Sequence, residues 1–229
     1  MSQSSPFEKT ALTALYEAHF ADRPEYRMGW SFMYCPEARL KTARLGIIGL
    51  NPGGGDESSP EQAAEAYWDW DDDGLAYVDQ PWGANGSLNP LQCQIKLLLE
   101  ALSVDSSEVF AAQLVPFRSQ SWNSLPDPHA AVRACRPLWQ HIARVSPTIT
   151  LWVSLGKEAG RELARLLQAS GTRRLDVGWR RHFAELYQAP DGRVVLALPH
   201  LSRFKLLSTE DRTEILACLA EAKRLSGLA

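Results

Sequence analysis

Four long apolar runs limit the folds open to this chain. The runs are ARLGIIGL (43–50), EVFAAQLVP (108–116), TITLWVSLG (148–156) and RVVLALPH (193–200). Each is continuous rather than alternating, which is typical of strands that are covered on both faces. The runs therefore predict a three-layer α/β/α fold with a four-stranded, mainly parallel central sheet.

Helical patterns separate the four runs, as right-handed crossovers between parallel strands require. Asn89 and Pro90 are typical of a helix N-terminus and predict a helix over 89–102. A turn at Pro190-Asp191-Gly192 predicts a hairpin that places an antiparallel strand before the last run. The other predicted helices cover 6–21, 58–70 with Ser59 as N-cap, 126–145 with an interruption at Pro137, 157–170 and 209–225.

Length and composition favour one soluble domain. The 229 residues are 45% hydrophobic, which predicts a single domain over 1–229. We find no apolar stretch of membrane-spanning length and no signal-peptide pattern, and we expect a monomeric cytoplasmic protein without membrane contact. The four cysteines have no metal-binding spacing, so we expect reduced thiols, no metal and no cofactor.

The charge is unevenly distributed along the chain. Residues 56–79 hold nine of the 27 acidic residues and no Lys or Arg, which leaves 18 acidic against 24 basic residues elsewhere. We interpret this segment as part of an acidic insertion at about 54–86. The remainder is mildly basic, and its arginine pairs are suited to phosphate contacts.

Polar groups follow the predicted strands where ligands of such sheets bind, outside the carboxyl ends. Asn51 follows the first run, Gln113 lies in the second, and His200 ends the fourth. These ends contain neither a nucleophile elbow nor a phosphate-binding lysine motif, which disfavours serine-hydrolase and P-loop chemistry. An amide can hold a water or read a heterocycle, and an imidazole can donate to a developing anion.

Three of these strand ends resemble one family. GLNPG (49–53) resembles the Gly-x-Asn-Pro-Gly motif of the uracil-DNA glycosylase superfamily, in its mismatch-specific and single-strand-selective branches. HLS (200–202) is similar to the family's His-Pro-Ser-Pro motif, and QLVP (113–116) resembles its Asn-x-x-Pro strand end. The order of elements from about 43 to 225 also fits the family's four-stranded sheet.

The resemblance implies hydrolysis of the bond between deoxyribose and a pyrimidine that is flipped out of DNA. Asn51 would position the attacking water, and His200 would donate a hydrogen bond to the departing base. The strand ends offer no lysine suited to imine formation. The expected enzyme is therefore a monofunctional DNA glycosylase that leaves an abasic site.

The same resemblance implies further contacts with base and DNA. Phe204, with Arg203 beside it, would wedge into the duplex, and Ser202 would contact a phosphate. A stacking aromatic is expected in the insertion, with Trp70 and Trp82 as alternatives to Tyr67 and Trp68. The expected base-binding residues are Gly49, Leu50, Gln113, Tyr67 and Trp68. The expected DNA-binding residues are Pro52, Gly53, Gly54, Ser202, Arg203 and Phe204.

The chain also departs from the family pattern. Leu201 and Arg203 replace the two prolines of the second motif, and Gln113 stands where related members have Asn. The added methylene displaces the amide and changes which base edge it can satisfy. We therefore expect uracil or a modified or mismatched pyrimidine as the excised base.

Other functions are compatible with the same residues. A catalytically silent DNA- or base-binding module would bind substrate in a salt-dependent way without releasing a base. A hydrolase of small nucleotides would use the glycine loop after Asn51 to bind phosphate. In addition, Asn51 can be an ordinary turn residue, and Arg118 and Ser119 are interpreted as loop-structural.

Overall fold

The computed structural model describes residues 6–53, 66–70 and 74–228, and these ranges form a mixed α/β protein. Each of the four apolar runs contains one strand, and further strands and helices lie between them. The strands are β1 (Trp30–Ser31), β2 (Leu45–Gly49), β3 (Ala66–Tyr67), β4 (Val109–Gln113), β5 (Leu151–Leu155), β6 (Ser170–Trp179), β7 (His182–Gln188) and β8 (Val194–Leu198). The helices are α1 (Lys9–His19), α2 (Ala76–Asp79), α3 (Pro90–Leu102), α4 (Pro128–Val145), α5 (Lys157–Leu166) and α6 (Thr213–Ser226).

The central sheet has six strands in the order β4-β2-β5-β8-β7-β6. The four predicted strands are its parallel members, and β7 and β6 extend it as antiparallel strands beside β8. The expectation of a four-stranded sheet is therefore wrong. The hairpin signal did predict β7, but β6 was missed because most of its residues are exposed and it lacks an apolar run.

Both faces of the parallel part of the sheet are covered. Every residue of β2, β4, β5 and β8 is buried, although successive side chains point to opposite faces. Helices α5 and α6 both pack against β5 and β8. Helix α5 also contacts α4, whereas α6 contacts α3. Burial on both faces explains why the runs are continuous in apolar residues.

Helix boundaries agree with the sequence where capping is strong. Asn89 caps α3 through a capping box with Gln92, as its position before Pro90 predicts. The predicted interruption at Pro137 is wrong, because α4 is continuous from Pro128 to Val145. Its buried face, which includes Leu138, Trp139 and Ile142, holds the helix on the core despite the lost backbone donor.

Three other predicted helices have different limits. Helix α5 ends at Leu166 because Gln168 adopts a left-handed conformation and the chain then enters β6, so a helix to residue 170 is wrong. Helix α6 begins at Thr213 rather than 209, and α1 covers Lys9–His19 within the predicted 6–21.

Part of the acidic insertion forms a small second sheet. β3 pairs in parallel with β1, so residues 66–67 are a strand and not the end of a helix over 58–70. The remainder of that predicted helix to residue 65, with Ser59, lies outside the described residues. Helix α2 follows, and its Tyr77 is buried in the main core. The insertion therefore contributes to the packed body of the protein.

The strand register brings the polar strand ends to one edge. Gly49 is paired with Gln113, Ile48 with Ser154, and Leu155 with Leu198. Residues 50–53 and 199–204 consequently leave the sheet on the same side. Among the helices that the structure describes, none is both long and apolar enough to cross a membrane.

Candidate active site

A large cavity lies at the carboxyl ends of the parallel strands. Its volume is about 1310 Å³, larger than the range of about 300 to 1,000 Å³ that is usual for small-molecule sites. The ends of β2, β4, β5 and β8 all contribute to its wall. The sequence-predicted residues that line it are Gly49, Leu50, Asn51, Gly53, Tyr67, Gln113, His200, Ser202, Arg203 and Phe204, with Trp70 and Trp82 from the alternatives.

Pro52 and Trp68, which have expected roles, do not line this wall. Pro52 is buried, and its carbonyl accepts a hydrogen bond from the Ser119 backbone over 3.3 Å. Trp68 faces another region, where its indole nitrogen donates to Glu37 over 2.9 Å, so its expected base contact is not supported. Gly54 lies outside the described residues.

The side-chain amide of Asn51 is fixed by its nitrogen. Nδ2 donates to the Ser119 hydroxyl over 2.7 Å, and it also lies 3.2 Å and 3.3 Å from the carbonyl oxygens of Pro52 and Phe117. Two carbonyl acceptors leave no doubt which end of the amide faces them. Oδ1 has no hydrogen-bond partner among the described residues and is available to accept from a water.

Ser119 continues this hydrogen-bond chain. Its hydroxyl accepts from Asn51 and donates to the carbonyl oxygen of Ser121 over 2.8 Å. Ser119 is buried, and Gly53 forms a parallel bridge with it. The loop after β4 therefore holds the amide at the end of β2 in one orientation, a positioning role that the sequence interpretation of Ser119 did not include.

His200 presents one ring nitrogen as a donor. The Ser202 backbone N–H donates to Nδ1 over 3.3 Å, and the Ser202 hydroxyl lies 2.7 Å from the same atom. Because Nδ1 accepts a backbone hydrogen bond, the proton of the neutral ring is on Nε2. Burial, with a smaller effect of the Arg203 charge, lowers the pKa of His200 and keeps the ring neutral.

This arrangement does not form a catalytic triad. The Ser202–His200 contact joins neighbours within one turn, and the described chain provides no carboxylate bonded to Nε2 of His200. A serine nucleophile needs a base that a third group orients. The site is better suited to orienting a water and stabilising a leaving group.

Gln113 lies at the bottom of the site with one atom unsatisfied. It is 6% exposed, and its Nε2 donates to the Tyr77 hydroxyl over 3.3 Å. Its Oε1 has no hydrogen-bond partner within the ranges that the structure describes. A methyl group on Gly49 would come within 2.7 Å of the Gln113 Cδ atom, so the amide lies directly against the β2 backbone. A buried acceptor without a partner requires an explanation, and a ligand donor provides one.

Aromatic rings form another wall of the cavity. Tyr34 stacks on Tyr77 with ring centroids 4.9 Å apart, and Trp82 lies edge-on to both at 5.6 Å and 5.2 Å. Tyr67 and Trp70 line the same cavity. Tyr34 and Tyr77 were not predicted from the sequence, since nothing in the local pattern separates them from core aromatics.

Positive charge predominates on the described part of the wall. Arg118, Lys157 and Arg203 line the cavity, whereas Glu158 is the carboxylate among the described lining residues. Nζ of Lys157 lies 3.3 Å from the centroid of the Phe183 ring, and burial is the main reason that its pKa is lowered. Arg118 and Lys157 were not predicted as site residues, because neither belongs to the recognised motifs.

Phe204 is not a free wedge. Its half-buried ring packs at 4.2 Å from His182 and 6.0 Å from Trp179, centroid to centroid. Arg203, next to it, is exposed. Of the two, Arg203 is the side chain that already extends toward solvent at the rim of the cavity.

Metal chemistry has no visible ligand set within the ranges that the structure describes. These contain no group of three or more His, Cys, Asp or Glu side chains that could hold a metal ion. The cysteines are free thiols, and burial raises the pKa of Cys35 and Cys135 to about 12.

No protein-family model and no curated protein matches this chain. Its function is therefore inferred from the cavity itself.

Proposed function

We propose that this protein is a monofunctional DNA glycosylase. It would hydrolyse the N-glycosidic bond of uracil or of a modified or mismatched pyrimidine flipped out of DNA, and it would leave an abasic site. The observation that carries the proposal is that Asn51 and His200 line one cavity, each with a fixed polar atom without a partner in the described chain.

Asn51 suits the water-binding part of this reaction. The bond to the base breaks with positive charge on the sugar, so an oriented water is needed more than a strong base. Asn51 directs Nδ2 at protein acceptors and leaves Oδ1 for the water. Because the nitrogen is held by three oxygens, the acceptor is oriented before substrate arrives.

His200 suits the leaving-group part. The departing pyrimidine is anionic, and a neutral imidazole with its proton on Nε2 can donate to the base oxygen. The lowered pKa of His200 keeps this state at neutral pH, since burial disfavours the imidazolium form. Deleting a donor of this kind costs about 10²–10³ in rate in other enzymes.

The other walls support a base in the cavity. The unsatisfied Oε1 of Gln113 can accept from a ring N–H or an exocyclic amine, and the aromatic wall offers a stacking surface. Gln113 Nε2 is engaged with Tyr77, so the amide offers one free acceptor rather than a donor–acceptor pair. This favours a base that presents a donor at its pairing edge.

A panel of oligonucleotides tests the proposal. Purified protein is incubated with single-stranded and duplex DNA carrying uracil, mismatched thymine or modified pyrimidines, and abasic sites are revealed with alkali. We expect strand cleavage only after alkali treatment, with full base release by the wild type, none by Asn51→Ala and strongly reduced release by His200→Gln. Salt-dependent binding without base release from any substrate would instead identify a silent binding module.

A further inference from the structure

Arg118 has a rigid backbone position beside Asn51. Its N–H donates to the Gly29 carbonyl over 3.1 Å. Its two neighbours in the chain, Phe117 and Ser119, both accept hydrogen bonds from Nδ2 of Asn51. The arginine therefore projects from the same loop that orients the proposed water-binding amide.

The guanidinium of Arg118 has no counter-ion among the residues that the structure describes. Within the same ranges its Nε is buried without a hydrogen-bond acceptor. By contrast, Arg136 and Arg161 on the neighbouring helices are paired with Glu162 and Glu185 at 2.7 Å. A partly buried guanidinium that is left unpaired is costly, and an anionic ligand removes that cost.

The chemistry of the site identifies the kind of anion. The Arg118 guanidinium next to Asn51 would repel the positive charge that develops on the sugar. An anion bound beside the guanidinium would neutralise it and remove this repulsion. In DNA the nearest such anion is a phosphodiester next to the nucleotide whose base is removed. Arginine is suited to this ligand because its planar fork can bind two phosphate oxygens at once.

We propose that Arg118 binds a DNA phosphate adjacent to the flipped nucleotide and so holds its sugar against Asn51. This inference rests on the proposed function. It assigns Arg118 a phosphate contact, in place of the loop-structural role that the sequence suggested. Lys157 and Arg203 on the same cavity add positive charge along the path of the backbone.

Salt dependence provides the first test. Binding of a single-stranded oligonucleotide with a tetrahydrofuran abasic site is measured over a range of salt concentrations for the wild type and Arg118→Gln. Loss of one phosphate contact reduces the slope of log K against log salt by about 0.7. The matched control is Arg133→Gln, since Arg133 is exposed on α4 and does not line the cavity. It should leave the slope unchanged.

Neutral phosphates locate the contact. Single phosphates around the abasic site are replaced in turn by methylphosphonate. We expect the wild type to lose about tenfold in affinity at one position next to the site, and Arg118→Gln to be insensitive there and normal elsewhere. Arg118→Lys keeps the charge but loses the fork, so it should show an intermediate effect. Equal profiles for wild type and Arg118→Gln would overturn the inference.

Further arms separate the alternatives. Free deoxyuridine monophosphate in large excess should not displace the oligonucleotide; displacement would point to a nucleotide site and contradict a DNA contact. Thermal melting checks that Arg118→Gln is folded, and if it is not, the Arg118→Lys profile decides. If the wild type releases a base but the methylphosphonate profile does not depend on Arg118, the Arg118 inference is wrong and the glycosylase proposal stands. If the methylphosphonate profile is as predicted but no substrate loses its base, the glycosylase proposal is wrong and the phosphate contact of Arg118 stands.

Discussion

The side-chain amide of Asn51 donates a hydrogen bond to the hydroxyl of Ser119 over 2.7 Å. The two residues are 68 positions apart in the chain and follow neighbouring parallel strands. This contact fixes Nδ2 of Asn51, so Oδ1 is the atom of the amide that is left to bind a water. It also links the GLNPG and QLVP strand ends into a single structural unit.

Ser119→Ala should reduce base release without unfolding the protein. The variant removes one acceptor of Nδ2, so the Asn51 amide is less firmly oriented. We expect a decrease in kcat of about tenfold, with a change in unfolding free energy of about 1 kcal/mol, the typical net value of one hydrogen bond. Single-turnover kinetics and urea unfolding measure the two effects.

Ser121→Ala is the matched control for that variant. Ser121 is exposed, and it contributes its backbone oxygen, not its hydroxyl, to the Ser119 hydroxyl. Its removal should leave kcat unchanged. Equal losses in both variants would show that Ser119 does not act through Asn51.

Gly49→Ala should displace Gln113. The new methyl group would overlap the Gln113 amide, whose flexible side chain can move, so the effect should appear in base preference rather than in folding. We expect the relative rates for uracil and modified pyrimidines to change by at least about tenfold, since buried polar contacts dominate such discrimination. Competition assays with paired substrates measure this ratio.

Gly53→Ala distinguishes a change in base preference through Gln113 from a general effect of adding a methyl group near the end of β2. Apart from its chain neighbours, no atom of the described residues lies within 4 Å of a methyl group at Gly53, so the fold should be unaffected. Any loss of activity then reports close approach of DNA to the backbone. An unchanged base preference in Gly49→Ala would contradict the role of Gln113.

His200 should make stability depend on pH. Its pKa is lowered in the folded state from the usual 6.5, mainly by burial, so the unfolded chain binds the proton more readily. The contribution of His200 to the free energy of unfolding is therefore fully present above pH 6.5, and it is lost as the pH falls toward the pKa of the folded state. Urea unfolding at about pH 7.5 and about pH 5 should show a smaller pH effect in His200→Gln than in the wild type. The same pH effect in both proteins would contradict this assignment.

Tyr67 and Trp68 should respond oppositely to substitution. Tyr67 lines the cavity, whereas Trp68 packs with ring centroids 5.0 Å from Phe7 and 5.2 Å from Phe32. We expect Trp68→Ala to lose roughly 3 kcal/mol of stability, and Tyr67→Ala to lose mainly substrate affinity. Chemical unfolding and equilibrium binding to abasic DNA separate the two.

The strand ends were predictable from sequence because three of the apolar runs have a polar group within or directly after their carboxyl end. Parallel strands put such groups at one edge, which is how Asn51, Gln113 and His200 were placed together. Tyr67 and Trp68 show the limit of this reasoning. Adjacent residues at a strand end point to opposite sides, and the sequence does not indicate which one faces the cavity.

Other features depend on contacts distant in sequence. Strand β6 is mostly exposed and lacks an apolar pattern, so only its pairing with β7 makes it a strand. Arg118 acquires significance because its Nε has no acceptor in the described part of the chain and because its two chain neighbours hold Asn51. Tyr77 likewise becomes a site residue only when α2 packs beneath Gln113. These relations arise from tertiary packing.

The most direct measurement is alkali-dependent cleavage of the oligonucleotide panel by the wild type, Asn51→Ala and His200→Gln, each verified as folded by thermal melting. We expect base release by the wild type from at least one pyrimidine substrate. We expect no detectable release by Asn51→Ala and a reduction of about 10²–10³ in His200→Gln. Release by Asn51→Ala at the wild-type rate, or no release by the wild type from any substrate, would contradict the glycosylase proposal.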